Sequence, residues 1–303
     1  MSRGNRVVLS YAPQADITQI PKTGWKILPF KSNSLNNTVE LTDSETIVNS
    51  RIKTAGMVTS ATAEGDVEVE FIKSIYDDLI AAAAFNTWNN NSLLFGGSTQ
   101  QLFAIEEMFG DVTQYHYWAG MAVNRWVLTI PTSGFISMTF GFVGQDYKTA
   151  TEAYAVTPAS VATAPKASSI SVESITIDNE NLRGIACVTD FNFELDNGME
   201  RQNCIGSGLY GAKNLEKQAN MSGSLTLAYG QKAQSILDKQ LTGATVAIQA
   251  TIKFPDGARY TLGIPKAQLS GDIPNGGAND LLSAQLRYTV VEQAPTLTRA
   301  VVA

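Results

Sequence analysis

The sequence predicts a mainly β (α+β) protein made of two tandem antiparallel β-sandwich or barrel modules, each with one flanking α-helix. Short runs in which apolar and polar residues alternate occur in both halves of the chain, with turn residues between them. In each half, one of these strands leads directly into one short amphipathic helix. The two strand–helix units are related by a constant offset, which indicates that one small fold is written twice.

The first strand–helix unit begins at Gly65. Val67, Val69 and Phe71 alternate with acidic residues, a pattern typical of a strand with one buried face. From about Ser74 the apolar residues follow a helical period instead. The chain therefore changes from strand to helix within a few residues.

The second unit repeats this arrangement from Gly223. Residues 223–229 alternate in the same phase, and residues 231–241 follow as a helical run closed by Gly243. Setting Gly65 on Gly223 gives an offset of 158 residues (223 − 65). It places Val67 on Leu225, Val69 on Leu227, Phe71 on Tyr229 and Leu79 on Leu237.

The remaining elements divide the chain into four parts. Residues 1–38 are predicted to form an extended arm, because their prolines prevent long regular elements. The first module spans 39–150, a linker rich in Ala, Thr, Ser and Pro spans 151–168, and the second module spans 169–303. Further strands are predicted at 7–11, 25–28, two within 39–62, 102–109, 114–131, 134–143, 170–177, 185–195, 244–254, 258–264, 266–273 and 280–291.

Composition limits the classes of function. The chain of 303 residues carries a net charge of −6, which argues against a protein that grips the phosphate backbone of nucleic acid. Such a charge is compatible with a protein past which DNA must slide. Cys187 and Cys204 are the only cysteines, so neither a disulfide framework nor a four-thiolate zinc site is expected. No apolar run approaches the length of a membrane span.

Residues for catalysis are scarce. His116 is the only histidine, and it stands between two tyrosines with no catalytic motif around it. Glu106 and Glu107 are neighbours in a predicted strand, so they face opposite sides and cannot share a proton; solvated roles are expected for them. Asp77 and Asp78 are explained by the dipole at the start of a helix. The sequence therefore predicts no catalytic, cofactor-binding or metal site, and no enzyme.

Residues 10–88 carry a resemblance to a known family. It rests on these segments in order: Tyr11 and the polar run after it, 20–25 (IPKTGW), 33–35 (NSL), 43–47 (DSETI), 49–51 (NSR), 65–71 (GDVEVEF), 76–80 (YDDLI) and 87–88 (TW). The chain resembles the major tail tube proteins of long-tailed, siphovirus-type bacteriophages. It departs from that pattern at Thr46 and in the arm at residues 14–16.

The resemblance implies a structural virion protein, made in the cytoplasm of the bacterial host. Its subunits would join edge to edge into rings, and the rings would stack into a hollow tube through which DNA is delivered. Closing a ring with identical neighbours removes exposed strand edges, which are otherwise an aggregation hazard. Other tail proteins, such as the tape measure and the terminator, would be partners, with no cofactor and no membrane span.

The apparent repeat adds an expectation about stoichiometry. If each chain supplies two tube modules to the family's usual six-fold ring, three chains complete a trimeric ring with pseudo-six-fold symmetry. The alternative is a hexamer whose second half decorates the outside. Glu68 and Glu70 lie opposite the core residues of their strand, so they are candidates for the lumen or for a subunit interface.

A competing function is a duplicated β-sandwich adhesin, a carbohydrate-binding module or a baseplate part. Such a protein needs exposed aromatic side chains on a platform formed by loops. Trp118 and Trp126 could stack on sugars, but both lie inside a predicted strand, where a core or interface role is favoured. A minor esterase or glycosidase is disfavoured by the single unsupported histidine.

Overall fold

The computed structural model describes residues 3–161, 163–183, 185–277 and 279–300. The chain folds mainly into antiparallel strands with two short α-helices, which confirms the predicted fold class. Residues 1, 2, 162, 184, 278 and 301–303, which fall in the predicted arm, linker and second module, lie outside the described residues.

Ten strands and one helix make up the first half of the chain. They are β1 (Val7–Pro13), β2 (Lys26–Ile27), β3 (Ser32–Asn33), β4 (Asn36–Thr42), β5 (Met57–Glu70), α1 (Asp77–Ala83), β6 (Ser92–Leu94), β7 (Leu102–Phe109), β8 (Gln114–Pro131), β9 (Ser137–Val143) and β10 (Asp146–Ala150). A 3-10 helix at Gly4–Arg6 precedes them.

The second half contains another ten strands and one helix. They are β11 (Val172–Ile177), β12 (Glu180–Asn181), β13 (Val188–Asp196), β14 (Glu200–Gln202), β15 (Lys213–Leu215), β16 (Asn220–Ala228), α2 (Gln231–Leu237), β17 (Thr245–Lys253), β18 (Arg259–Gly271), β19 (Ser283–Val290) and β20 (Thr296–Ala300). The 3-10 helices Ser169–Ser171 and Asp238–Thr242 complete this half, and Gly243 ends the second of them with a φ of 63°.

Strand pairing follows the same plan in both halves. In the first half the pairs are β1–β2, β1–β7, β4–β5, β5–β9, β7–β8, β8–β9 and β8–β10. In the second half the corresponding pairs are β11–β12, β11–β17, β13–β16, β16–β19, β17–β18, β18–β19 and β18–β20. Each helix follows the corresponding strand, α1 after β5 and α2 after β16.

The register of these pairs also keeps the offset of 158 residues. Ser32 pairs with Glu68, and Asp190 pairs with Thr226. At the far end of the same hairpin, the pair Thr42–Met57 corresponds to the pair Glu200–Leu215. The offset read from the strand–helix unit therefore extends without a gap back to β3. β3 and β4 together correspond to β13, and β5 corresponds to β16.

The longest strand joint between the two halves is the seam between β8 and β13, and β20 also pairs with β6 over three residues. The C-terminal part of β8 pairs with β9 on one side and with β13 on the other, over seven consecutive pairs from Arg125–Asp196 to Pro131–Asp190. A single sheet thus runs through β4, β5, β9, β8, β13, β16, β19 and β18 in that order. We call this the long sheet.

Aromatic side chains fill the core behind the seam. Phe95 stacks on Trp126 with 5.5 Å between ring centroids, and Phe193 of β13 meets both rings edge-on at 5.8 Å. One continuous cluster contains most of the buried apolar residues and draws on both halves. Packing across the seam therefore adds to the backbone pairing.

The N-terminal segment belongs to the body of the first half. β1 pairs with β7 along its whole length, and Tyr11 and Leu28 are buried in the core. The segment from β1 to Leu28 therefore packs on its own chain.

Residues 43–56 differ from the prediction. The two strands expected within 39–62 exist as β4 and β5, but the loop between them carries apolar residues that the alternation pattern had placed in strands. Ile47 is 98% exposed and Ile52 is 81% exposed. The pattern is misleading here because none of the described residues covers these side chains.

Candidate assembly surface

The long sheet has one face on the core and one polar face turned away from it. On β5 the side chains of Val67 and Val69 are buried, whereas Glu68 and Glu70 point to the opposite side, as alternation predicts. The same alternation continues across the seam, where Phe191 and Phe193 are buried and Asn192 is on the polar face. The acidic residues on this face include Glu40, Glu64, Asp66, Glu68, Glu70, Asp190, Glu194 and Asp196, and the basic residues on the strands of the long sheet are Arg125, Arg259, Lys266 and Arg287.

Glu68 and Glu70 are held in ion pairs near the end of β5. The Lys31 ammonium group lies 2.7 Å from a carboxylate oxygen of Glu68, and that of Lys166 lies 2.5 Å from Glu70. The hydrogen bond from Lys31 holds the pKa of the Glu68 carboxyl below its usual value. The two ion pairs fix the direction of both side chains.

Arg125 connects the two halves on the polar face. Its Nε donates to Glu194 at 2.6 Å, and a second guanidinium nitrogen lies 3.7 Å from Asp66. Glu194 belongs to β13, so this bridge crosses the seam. It leaves the face with an excess of carboxylates.

A hairpin of the second half lies on the first half. We call residues 197–219 the second hairpin; they contain β14 and β15. The Asn197 amide donates to the carbonyl oxygens of Ala83 and Val123 at 3.0 and 3.2 Å, and Asn214 donates to that of Gly144 at 3.1 Å. Both asparagines are buried, so their hydrogen bonds fix the hairpin in place.

Further contacts join the two halves behind the sheet. Asp77 at the start of α1 accepts hydrogen bonds from Tyr260 of β18 at 3.0 and 3.1 Å, and it forms an ion pair with Arg299 of β20. The Arg299 guanidinium also stacks over the Trp88 ring, 4.4 Å from its centroid. The role of Asp77 therefore goes beyond the helix dipole, since it links the two halves.

Two strand edges of the long sheet stay open among the described residues. β4 pairs with β5 on one side only. β18 pairs with β17 as far as Gln268, and from Leu269 onward that side has no partner strand. The position beside this part of β18 corresponds to the place that β13 occupies beside β8.

A family model described as phage tail tube protein matches residues 4–290. The chain belongs to this family. It is therefore a structural protein of the phage tail and a component of the virion, as the resemblance implied. Membership also implies self-assembly into a tube and contact with other tail proteins. No individual curated protein matches the sequence.

The tryptophans that could stack on sugars and the single histidine have packing surroundings in this tail tube protein. Trp118 and Trp126 are 2% and 1% exposed, so neither ring is available to a sugar. His116 Nδ1 lies 2.5 Å from the Tyr147 hydroxyl, and its ring packs against Phe109 and Trp118. Burial lowers the pKa of His116. These surroundings favour a packing role for the histidine.

Metal and membrane sites are likewise not evident among the described residues of the tail tube protein. No cluster of three or more potential metal ligands occurs within the described ranges. In the same part of the chain, no helix has the length and apolar character needed to cross a membrane. The cysteines Cys187 and Cys204 are exposed free thiols.

Glu106 and Glu107 face opposite sides, but the expected solvation is wrong, since both are buried. Glu106 accepts hydrogen bonds from the backbone N–H groups of Tyr154 and Ala155 at 2.5 and 2.9 Å, which anchors the 151–168 segment. Glu107 accepts one from Asn33 at 2.7 Å. Sequence reasoning missed these roles because the partners are distant along the chain.

Glu107→Gln is expected to stabilise the fold at neutral pH. Burial raises the pKa of Glu107 above its ordinary value, so ionisation above that pKa costs folding free energy. The glutamine keeps an acceptor for Asn33 and removes the charge. Thermal melting from pH 4 to pH 8 should show the largest gain at high pH and a vanishing gain as the pH falls to the ordinary glutamate pKa. A gain that is independent of pH would contradict this explanation.

Proposed function

We propose that three copies of this tail tube protein form a ring with pseudo-six-fold symmetry, and that such rings stack into the hollow tube through which DNA leaves the virion. The observation that carries this proposal is the β8–β13 seam. It is an edge-to-edge joint of the kind that a ring of β-modules requires, and it lies within one chain. Each chain then contributes two neighbouring modules to a continuous sheet.

The recurring strand plan supports a duplicated tube module. The seven corresponding pairs and the constant register offset are difficult to explain by two unrelated domains. We place the second module at 169–303 and the linker at 151–168, and we count the arm at 1–38 together with 39–150 as the first module, because β1 to β3 correspond to β11 to β13. These boundaries are part of the proposal.

The alternative hexamer would use the second half as an outer decoration. In that arrangement the edge of β8 would remain open for the first half of a neighbouring chain. Here β13 occupies this edge and continues the long sheet. This favours three chains in each ring over six.

The polar face of the long sheet is proposed to line the lumen. Its carboxylates, including Glu68 and Glu70, repel the phosphate backbone and would let DNA slide without binding. DNA would therefore be a transient partner without sequence preference. The tape measure and the terminator are the proposed protein partners inside and at the end of the tube.

Charge reversal tests the lumen assignment. Glu68→Lys with Glu70→Lys is expected to allow tube assembly but to slow DNA ejection roughly tenfold or more, with a dependence on salt, because the lysines attract phosphate. The measurement is the ejection rate from phage particles carrying the variant chain. Lys31→Gln with Lys166→Gln is the matched control, since it breaks the same ion pairs without adding positive charge. Equal effects in both variants would contradict a lumenal role for the two glutamates.

The stoichiometry is tested by electron microscopy of the purified chain at high concentration. End-on views are expected to show six units of density from three chains, and the mass of a ring measured by native mass spectrometry is expected to equal three chains. A ring with the mass of six chains would keep the tube and exclude the duplicated-module ring. A chain that forms neither rings nor tubes, even with the tail initiator proteins present, would overturn the proposed function.

A further inference from the structure

Equivalent residues of the two hairpins differ strongly in burial. We call residues 39–61 the first hairpin; the offset of 158 relates it to the second hairpin. Asn197 is 4% exposed, whereas its counterpart Val39 is 45% exposed. Tyr210 is half-buried and donates to Asn37 at 2.8 Å, whereas its counterpart Ile52 is almost fully exposed. The second hairpin lies on the first half, but within the described part of the chain the first hairpin has no corresponding surface beneath it.

The surface that would receive the first hairpin is also exposed. In the first half, Ala83 is fully buried and its carbonyl oxygen accepts a hydrogen bond from Asn197. The corresponding residue after α2 is Leu241, which is 80% exposed. A single chain therefore exposes both surfaces that this kind of contact needs. One is the first hairpin, and the other is the region of the second half around Leu241.

The open edges of β4 and β18 have the same relationship. The strand pairs show that Trp126 of β8 and Gly271 of β18 occupy corresponding positions in the two halves. Trp126 pairs through Phe140 to Val67, and Gly271 pairs through Leu286 to the counterpart of Val67. Trp126 also pairs with Leu195, whose counterpart under the offset is Asn37. The seam thus predicts which residues of the two open edges would meet.

We propose that the first hairpin of one chain lies on the second half of a neighbouring copy, as the second hairpin lies on the first half within the chain. Gly271 of one chain would then pair with Asn37 of the next, and Ser270 with Thr38. This inference rests on the proposed ring and specifies its contact between chains. The partner is a second copy of this chain.

The chemistry of the two surfaces fits such a contact. The first hairpin exposes Leu41, Ile47 and Ile52, and the receiving region exposes Leu241 and Ile273. Burying these side chains removes apolar surface from water, and the paired edges satisfy backbone groups that would otherwise stay open. The contact is heterologous, so repeating it leads around a ring instead of ending at a dimer.

Site-directed cross-linking tests this placement. The variant carries Thr38→Cys and Ser270→Cys, with the exposed Cys187 and Cys204 replaced by serine. Opposed residues of antiparallel strands have Cβ atoms roughly 4.5–5.5 Å apart, which approaches the separation that a disulfide requires. Mild oxidation of assembled protein should give a ladder of dimers and trimers on a denaturing gel, ending at the trimer and reversed by reductant.

The matched control moves one cysteine to the adjacent strand. Gln285 is exposed on β19, so Thr38→Cys with Gln285→Cys should give no ladder under the same oxidation. Equal ladders from both pairs would overturn the register. If the wild-type chain forms rings but the Thr38–Ser270 pair does not cross-link within them, the hairpin placement is wrong and the ring survives. If no rings form at all, the proposed function itself fails.

Two single substitutions test the apolar contact independently of the cross-linking. Leu241→Glu and, separately, Ile52→Glu are expected to abolish tube formation without lowering the melting temperature, since both side chains are exposed in the free chain. Val156→Glu, at another exposed apolar residue, should leave tubes intact. Normal tube yield from both Leu241→Glu and Ile52→Glu would overturn the proposal.

Discussion

Phe193→Ala is expected to lower the free energy of unfolding by about 3–5 kcal/mol. Phe193 is fully buried on β13, and its ring contacts Phe95 and Trp126, both at 5.8 Å between centroids. Truncation removes these contacts and leaves a cavity behind the seam, where two rigid aromatic neighbours limit collapse. The measurement is urea unfolding followed by tryptophan fluorescence, to which Trp126 beside Phe193 contributes together with the other three tryptophans.

Two controls separate the cavity from a general effect of substitution. Phe193→Leu retains most of the side-chain volume and should lose clearly less stability than the alanine variant. Ile170→Ala, at a side chain that is 93% exposed, should change the free energy of unfolding by no more than about 0.5 kcal/mol. A loss below about 1 kcal/mol for Phe193→Ala would show that packing behind the seam contributes little to holding the halves together.

Arg299→Ala is expected to destabilise the fold by about 3–5 kcal/mol at neutral pH, because it leaves the buried Asp77 carboxylate without its cation. Burial raises the pKa of Asp77, and Arg299 is the strongest influence in the opposite direction. Without the arginine the pKa of Asp77 rises further. The energetic cost applies above this raised pKa and is lost as the pH falls through it toward the ordinary aspartate value, since the carboxyl group then binds a proton.

The matched measurement is the difference in unfolding free energy between wild type and variant from pH 4 to pH 8. Asp77→Asn combined with Arg299→Ala should be more stable than Arg299→Ala alone at pH 8, because no buried charge remains. Arg299→Lys should recover only part of the loss, since an ammonium group does not reproduce the stacking over Trp88. A loss that stays constant with pH would assign the effect to packing instead of charge.

Local patterns predicted the strand–helix units well, because strand and helix periodicities depend on residues that are close together in the sequence. The alternation at Val67 and Val69 specified the buried face of β5, and Gly243 ends the helical region after α2 as expected. Alternation also placed Glu68 and Glu70 on the face opposite the core. Whether that face lines a lumen depends on other chains and stays a prediction.

The sequence-based predictions failed where the environment of a side chain depends on residues that are distant along the chain. Glu107 was expected in solvent, but it is buried beside Asn33, 74 residues earlier in the chain. Two strands were predicted within 39–62, but Ile47 and Ile52 lie in the loop between β4 and β5 and are exposed to solvent. An apolar pattern indicates that a side chain is buried against another surface. It does not indicate whether that surface belongs to the same chain or to another copy.

The sequence by itself determined the mainly β fold, the two strand–helix units, their offset of 158 residues and the family resemblance. These depend on residue spacing, which is a local property of the chain. Only the tertiary structure showed that β8 and β13 join the halves into one sheet, that the second hairpin lies on the first half, and that the corresponding edges of β4 and β18 stay open. Pairing between distant strands is chosen by the packing of the whole core, so no short stretch of sequence contains it.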